Sequence, residues 1–78
     1  MRSKVDGPDT LGLILREARH QHDISQEELA RRLGISQRYV SELESGKPGI
    51  LMSRLFTIMR ELDITLTAEI HQPGTHHG

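Results

Sequence analysis

Gln26-Glu-Glu-Leu-Ala-Arg-Arg-Leu-Gly-Ile-Ser-Gln-Arg-Tyr-Val-Ser-Glu-Leu-Glu-Ser45 reads as two short helices joined by a glycine turn. Leu29, Ala30 and Leu33 put apolar groups at i, i+1 and i+4 of the first helix, and Val40 and Leu43 form an i, i+3 pair on the second. Gly34 stands where the chain must turn sharply and can adopt the positive φ of a tight helix exit. Ala30 is small where two crossing helices come closest. Such a unit holds its second helix out from the body of the protein, with polar side chains facing away from the core.

Capping signals fix both helix starts. Ser25 opens a Ser-Gln-Glu-Glu capping box in which Glu28 can reach back to the Ser25 amide. Ser36 caps the next helix without a reciprocal carboxylate, because Tyr39 occupies N3. That helix is expected to run to about Ser45, with Gly46 as its C′ residue and Lys47-Pro48-Gly49 as a loop.

Outward from this unit, Thr10 is expected to cap a first helix over residues 10–22, burying Leu11, Ile14, Leu15 and Ala18. Asp23-Ile24 breaks it. A fourth helix is expected over residues 51–62, with Leu51, Leu55, Ile58, Met59 and Leu62 inward and Arg54, Thr57 and Glu61 outward. Residues 1–9 hold Gly7-Pro8, show no period, and read as a flexible arm carrying Arg2 and Lys4. Residues 64–70 alternate: Ile64, Leu66, Ala68 and Ile70 on one side, Thr65, Thr67 and Glu69 on the other. This is strand periodicity. A lone strand leaves its backbone groups unpaired, so antiparallel pairing with the same strand of a second copy is expected, making Ile64, Leu66, Ala68 and Ile70 dimerisation residues. Residues 72–78 read as a disordered tail, and residues 10–71 as one domain.

Size and composition bound the function. With 78 residues there is room for one small core, which a partner chain would help to stabilise. The absence of cysteine excludes disulfides and thiolate metal sites and fits a cytoplasmic setting. No apolar run approaches the ~20 residues that span a bilayer, and the N-terminal residues do not look like a signal peptide. The five histidines lack a completing cluster of ligands, so no metal or other cofactor is expected. No nucleophile–base pair or phosphate loop stands out, and an enzyme is not expected.

A helix held out with a polar face fits the major groove of double-stranded DNA, with its N-terminal part toward base edges. Gln37 and Arg38 come first, since Gln pairs bidentately with adenine and Arg with guanine. Tyr39 can contact a thymine methyl or a phosphate, or simply pack; Ser41, one turn on from Gln37 and Arg38, is short enough for a base or phosphate contact. Gln26, at a helix N-terminus, and Lys47 are candidate phosphate ligands, and Ser36 can add a phosphate contact to its capping role. Arg31 and Arg32 follow Glu27 and Glu28 at i+4 and are expected to form a solvated ion-pair face. Glu42 and Glu44 should point away from phosphate or pair with a cation. Arg16, Arg19, Arg54 and Arg60 are available to a protein partner, and Arg2 and Lys4 to a DNA groove. The net charge of −1 is unusual for a DNA-binding domain and keeps a protein-interaction adaptor in view.

The Ser25-Gln-Glu-Glu-Leu-Ala motif, the Gly34-Ile-Ser-Gln turn and the Ser41-Glu-Leu-Glu-Ser-Gly-Lys47 close resemble the Xre/Cro-type helix-turn-helix repressors of bacteria and phages over residues 11–62. The Phe56-Thr-Ile-Met-Arg-Glu-Leu-Asp-Ile-Thr-Leu66 stretch, the strand and the short tail are most like HipB-type antitoxins. The resemblance implies an all-α, lambda-repressor-like four-helix fold whose C-terminal strand pairs across a homodimer. It further implies a palindromic operator, usually in the protein's own promoter, and a HipA-type serine/threonine kinase toxin as partner. A stand-alone, phage-type regulator shares the same outline.

Overall fold

The computed structural model describes residues 2–47 and 49–72. The elements in chain order are β1 (Arg2–Val5), α1 (Pro8–Gln21), α2 (Gln26–Leu33), α3 (Gln37–Glu44), α4 (Ile50–Glu61) and β2 (Leu66–Glu69). The four helices of the expected fold are present. Of the expected tail only Gln72 lies within the described residues; Pro48 of the expected loop lies outside them as well.

All four helices end the same way. A residue in the left-handed region (Asp23, Gly34, Gly46 and Asp63, with φ between 57° and 77°) stops each helix, and the next amide donates back to a carbonyl five residues earlier. Ile24 N to Arg19 O (3.2 Å), Ile35 N to Ala30 O (3.0 Å), Lys47 N to Glu42 O (3.0 Å) and Ile64 N to Met59 O (2.8 Å) are these bonds. This is the Schellman geometry, which satisfies carbonyls that a helix end otherwise leaves unpaired. At the starts, Ser25 Oγ accepts from Glu28 N at 3.0 Å and Ser36 Oγ from Tyr39 N at 3.1 Å. The reciprocal half of the expected capping box is not seen, because the Glu28 carboxylate pairs instead with Arg31 and Arg32.

Three expectations are corrected. First, the N-terminal residues are not a flexible arm. Residues 2–5 form β1, and α1 begins at Pro8 with Gly7 as N-cap, so Thr10 lies in the first turn and not at the cap. Proline suits N1 because its φ is preset and its missing N–H would be unpaired there anyway. Secondly, β2 does not need a second copy to satisfy its ladder. It pairs antiparallel with β1 in register Arg2↔Glu69, Ser3↔Ala68, Lys4↔Thr67 and Val5↔Leu66. Of the four proposed dimerisation residues, Ile70 is buried in the chain's own core and Ala68 packs against it, while Ile64 and Leu66 stay exposed. Thirdly, α4 turns a different face inward, and of its expected inward residues only Met59 meets the core. Phe56 is buried, with Met52 and Met59 beside it, while Leu51, Leu55, Ile58 and Leu62 are exposed.

The main core is Val5, Ile14, Phe56 and Ile70, flanked by Leu11, Ala18, Met52, Met59 and Ala68. Leu15, expected in the α1 stripe, is partly exposed. The sheet thus closes one side of the α1–α4 layer, and His22 Nε2 meets His71 O at 3.1 Å where strand and helix ends converge. Ala30 and Val40 are buried apart from this cluster, on the two helices of the turn. The α1–α3 approach depends on Gly12: a Cβ there would stand 2.7 Å from the carbonyl oxygens of Leu43 and Glu44.

Candidate nucleic-acid interface

The 3.6-residue period of α3 assigns its side chains to three directions. Val40 and Glu44 are buried against the body of the protein. Gln37, Arg38, Ser41 and Ser45 occupy one flank and all are exposed. Tyr39 and Leu43 face the other flank, where they line a groove with Leu51, Met52 and Leu55 of α4. Tyr39 is half exposed there, so its packing role is visible and its side chain diverges from the Gln37–Arg38 pair.

What anchors α3 is an ionic cluster. Arg19 donates from Nε to Glu44 Oε2 at 2.6 Å, from Nη2 to Glu44 Oε1 at 3.0 Å and from Nη1 to Ile24 O at 2.8 Å. Gln26 Nε2 donates to Glu44 Oε1 at 2.9 Å. The bidentate pair is nearly dry, with side-chain exposures of 9% for Arg19 and 4% for Glu44. The Arg19 hydrogen bond is the largest influence holding the Glu44 carboxyl below the ordinary carboxylate range, against the opposing cost of burial; Gln26 and the charges of Arg19 and Arg16 add to it. The same hydrogen bond raises Arg19 above the ordinary guanidinium value. One carboxylate therefore joins α1, the start of α2 and the end of α3.

Each expected contact residue can now be placed. Gln37, Arg38 and Ser41 come together on the outward flank. Arg38 Nε reaches Glu42 Oε2 at 3.4 Å but its side chain is 87% exposed, so it is free to swing toward a ligand. Ser36 Oγ accepts the capping bond from Tyr39 N, which leaves its O–H free to donate. Gln26 gives its amide to Glu44 and lines, with Arg16, Ser41 and Ser45, a notch beside the outward flank. Lys47 is exposed but belongs to the Tyr39 side. Arg31 and Arg32 share Glu28, as an ion-pair face. Arg2 pairs with Glu69 across the sheet at 3.8 Å.

Both glutamates of α3 meet cations, Glu42 at the surface and Glu44 inside. Arg19, one of four arginines the sequence leaves available to a protein partner, is instead taken up by Glu44, and the cluster is not among the sequence expectations. Its signal was the position of Glu44, four residues after the apolar Val40 and hence on the same helix face. Arg16, beside Ser41 in the notch, is a further cation at this surface that the sequence reading set apart from DNA.

A short helix fixed by its inner face, led by a glycine turn and open along one polar flank, defines the class of DNA-binding helix-turn-helix proteins. The helix-turn-helix family model matches residues 15–68, and the chain belongs to that family. It is 27% identical over 74 residues to the "Uncharacterized HTH-type transcriptional regulator y4mF" of Sinorhizobium fredii (strain NBRC 101917 / NGR234), across 95% of both chains. It is 28% identical over 64 residues to "Antitoxin HipB" of Escherichia coli (strain K12), across 82% of this chain and 73% of that one. No helix among the described residues is long and apolar enough to cross a membrane.

Proposed function

We propose that the chain is a sequence-specific repressor that acts as a pair of copies on a palindromic operator in its own promoter. The observation that supports this most is the shared exposed flank of Gln37, Arg38 and Ser41 on a helix locked from behind by Glu44. An Arg–guanine or Gln–adenine pair discriminates between bases only if the helix bearing it is held in a fixed orientation. Gln26, Ser36 and Lys47 are then phosphate ligands that set register, and Arg16 joins them.

The likeness to HipB supports an antitoxin role, with a HipA-type serine/threonine kinase as the protein partner. The likeness to the y4mF regulator, which extends over 95% of both chains, supports transcriptional regulation in either version, as an antitoxin or as a stand-alone regulator.

A gel shift with DNA from upstream of the chain's own reading frame tests the proposal. Wild type gives a specific shift, and Arg38→Ala loses it while keeping its helical circular dichroism. No wild-type shift overturns the reading in favour of a protein-interaction adaptor, and a specific shift that Arg38→Ala leaves intact takes the base-reading role from Arg38. Copurification from the native host separates the two versions: a kinase-like companion supports the antitoxin, and a specific shift without one supports the stand-alone regulator.

A further inference from the structure

Helix α4 has two apolar faces, and the chain uses one of them. Met52, Phe56 and Met59 pack into the core. The second face is Leu51, Leu55, Ile58 and Leu62, exposed by 84%, 50%, 54% and 63%. Their spacing of four, three and four residues is that of a seam between two helices, the a and d positions of a heptad.

We propose that a second copy of this chain covers this face, α4 packing antiparallel on α4 about a two-fold axis. Leu55 then lies opposite the partner's Ile58, and Leu51 opposite the partner's Leu62. That leucine enters the groove lined by Tyr39, Leu43 and Met52. The proposal rests on the reading of the chain as a paired regulator, and it names the surface that pairs.

Area and charge both support a second copy. With Tyr39, half exposed in the groove that Leu51 and Leu55 share, the exposed surface equals about three fully exposed large side chains. That is roughly 500 Å² per copy, near the upper end of the largest apolar patch on an ordinary monomer. Two such faces together remove roughly 1,000 Å² from water, the size at which a specific interface begins.

Arg54 and Glu61 flank the seam on its outer side, seven residues apart, and neither has an ion-pair partner among the described residues. Helical side chains lean toward their own N-terminus. In an antiparallel pair, Arg54 and the partner's Glu61 therefore lean toward each other, and symmetry makes the contact twice. A parallel pair would set Arg54 beside the partner's Met59 and leave both charges unmatched. The groove side of α3 is the Tyr39 flank, so the seam leaves Gln37, Arg38 and Ser41 uncovered.

Light scattering and sedimentation equilibrium on the full chain without DNA test the seam, so a failure of operator binding does not affect the outcome. Wild type is a dimer that dissociates on dilution. Leu55→Asp weakens association on the order of a hundredfold or more, since each copy loses an apolar contact at the centre of the seam. Arg54→Glu, on an exposed position that the monomer fold does not use, weakens it by roughly tenfold. The double swap Arg54→Glu with Glu61→Arg restores it. A monomeric wild type overturns the proposal and gives the face to a different protein. A dimer unaffected by Leu55→Asp and Arg54→Glu also overturns it and places the pairing elsewhere, with the open edge of the sheet next to be examined. A double swap that fails to restore association rejects the antiparallel register.

Discussion

Glu44, on the last turn of α3, receives two hydrogen bonds from Arg19 of α1 in a setting almost closed to water. The carboxylate replaces its lost hydration with Arg19 and Gln26, so removing one partner strands a buried charge. Glu44→Ala is expected to cost about 3–5 kcal/mol in urea denaturation, a large share of the stability of a small domain. Arg19→Met should cost a similar amount. The double variant Arg19→Met with Glu44→Leu should recover most of either loss, because two apolar groups need no compensation. If the two losses simply add, the pair does not act as a unit.

The same cluster sets an acid limit. The native Glu44 carboxyl lies below its ordinary range through the Arg19 hydrogen bond, so below that range the unfolded chain takes up the proton first. Its contribution is fully present above the ordinary Glu value of about 4.3 and is lost as pH falls through the lower native value. Wild-type stability should therefore drop with acid below about pH 4 more steeply than that of Glu44→Gln. Urea midpoints measured across this interval check it, and parallel curves would exclude Glu44 as the titrating group.

The central unit was legible in the sequence because its signals are local. Ser25, Ser36 and Gly34 each act on backbone within a few residues, and the helix bounds follow from them. What failed needed tertiary information. Gly7-Pro8 reads equally as a break or as the start of a helix, and β1 is too short to declare a period. Helix α4 is apolar over more than half its circumference, so periodicity finds two stripes and does not say which one meets Phe56's neighbours. Glu44 is expected to point away from phosphate or to pair with a cation, and it does pair; which cation it meets, and that the pair is buried, depends on Arg19 arriving from another helix. At the candidate interface, the shared exposed flank of Gln37, Arg38 and Ser41 follows from helical spacing, whereas the divergence of Tyr39 needs the groove against α4.

Asp63 ends α4 at φ 59°, where a side chain is strained and glycine is not. Asp63→Gly is expected to raise stability by roughly 0.5–1 kcal/mol, part of the relief being offset by the greater freedom of glycine in the unfolded chain. Asp63→Val should lower it by about 1–2 kcal/mol, since branching at Cβ worsens the clash. Thermal midpoints ordered Gly, Asp, Val from highest to lowest bear this out, and any other order removes the backbone explanation.

Gly12 is a position where helix propensity and packing oppose each other. Alanine favours a helix by about 1 kcal/mol over glycine. Its Cβ would nonetheless press to 2.7 Å on the Leu43 and Glu44 carbonyl oxygens, and backbone cannot rotate out of the way. Gly12→Ala should therefore destabilise by about 1–3 kcal/mol and shift α3 relative to α1. The check is calorimetry alongside the operator titration: affinity should fall even at temperatures where the variant is fully folded. A more stable Gly12→Ala would mean that the helices separate without cost.

Lys47 and Arg38 should fail in different ways on DNA. Lys47 is exposed just past α3 on the Tyr39 side, away from the Gln37 flank, and on the proposed docking a cation there meets phosphate and not base edges. Lys47→Ala is expected to weaken binding to operator and unrelated DNA by about the same factor, and to flatten the slope of log affinity against log salt by ~1 per half-site. Arg38→Ala should instead lose the preference for operator, by roughly 1–3 kcal/mol for each guanine contact. Fluorescence anisotropy across a salt series on both DNAs separates the two. A Lys47→Ala variant whose preference changes while its salt slope does not would move Lys47 to the base-reading set and take the phosphate role from it.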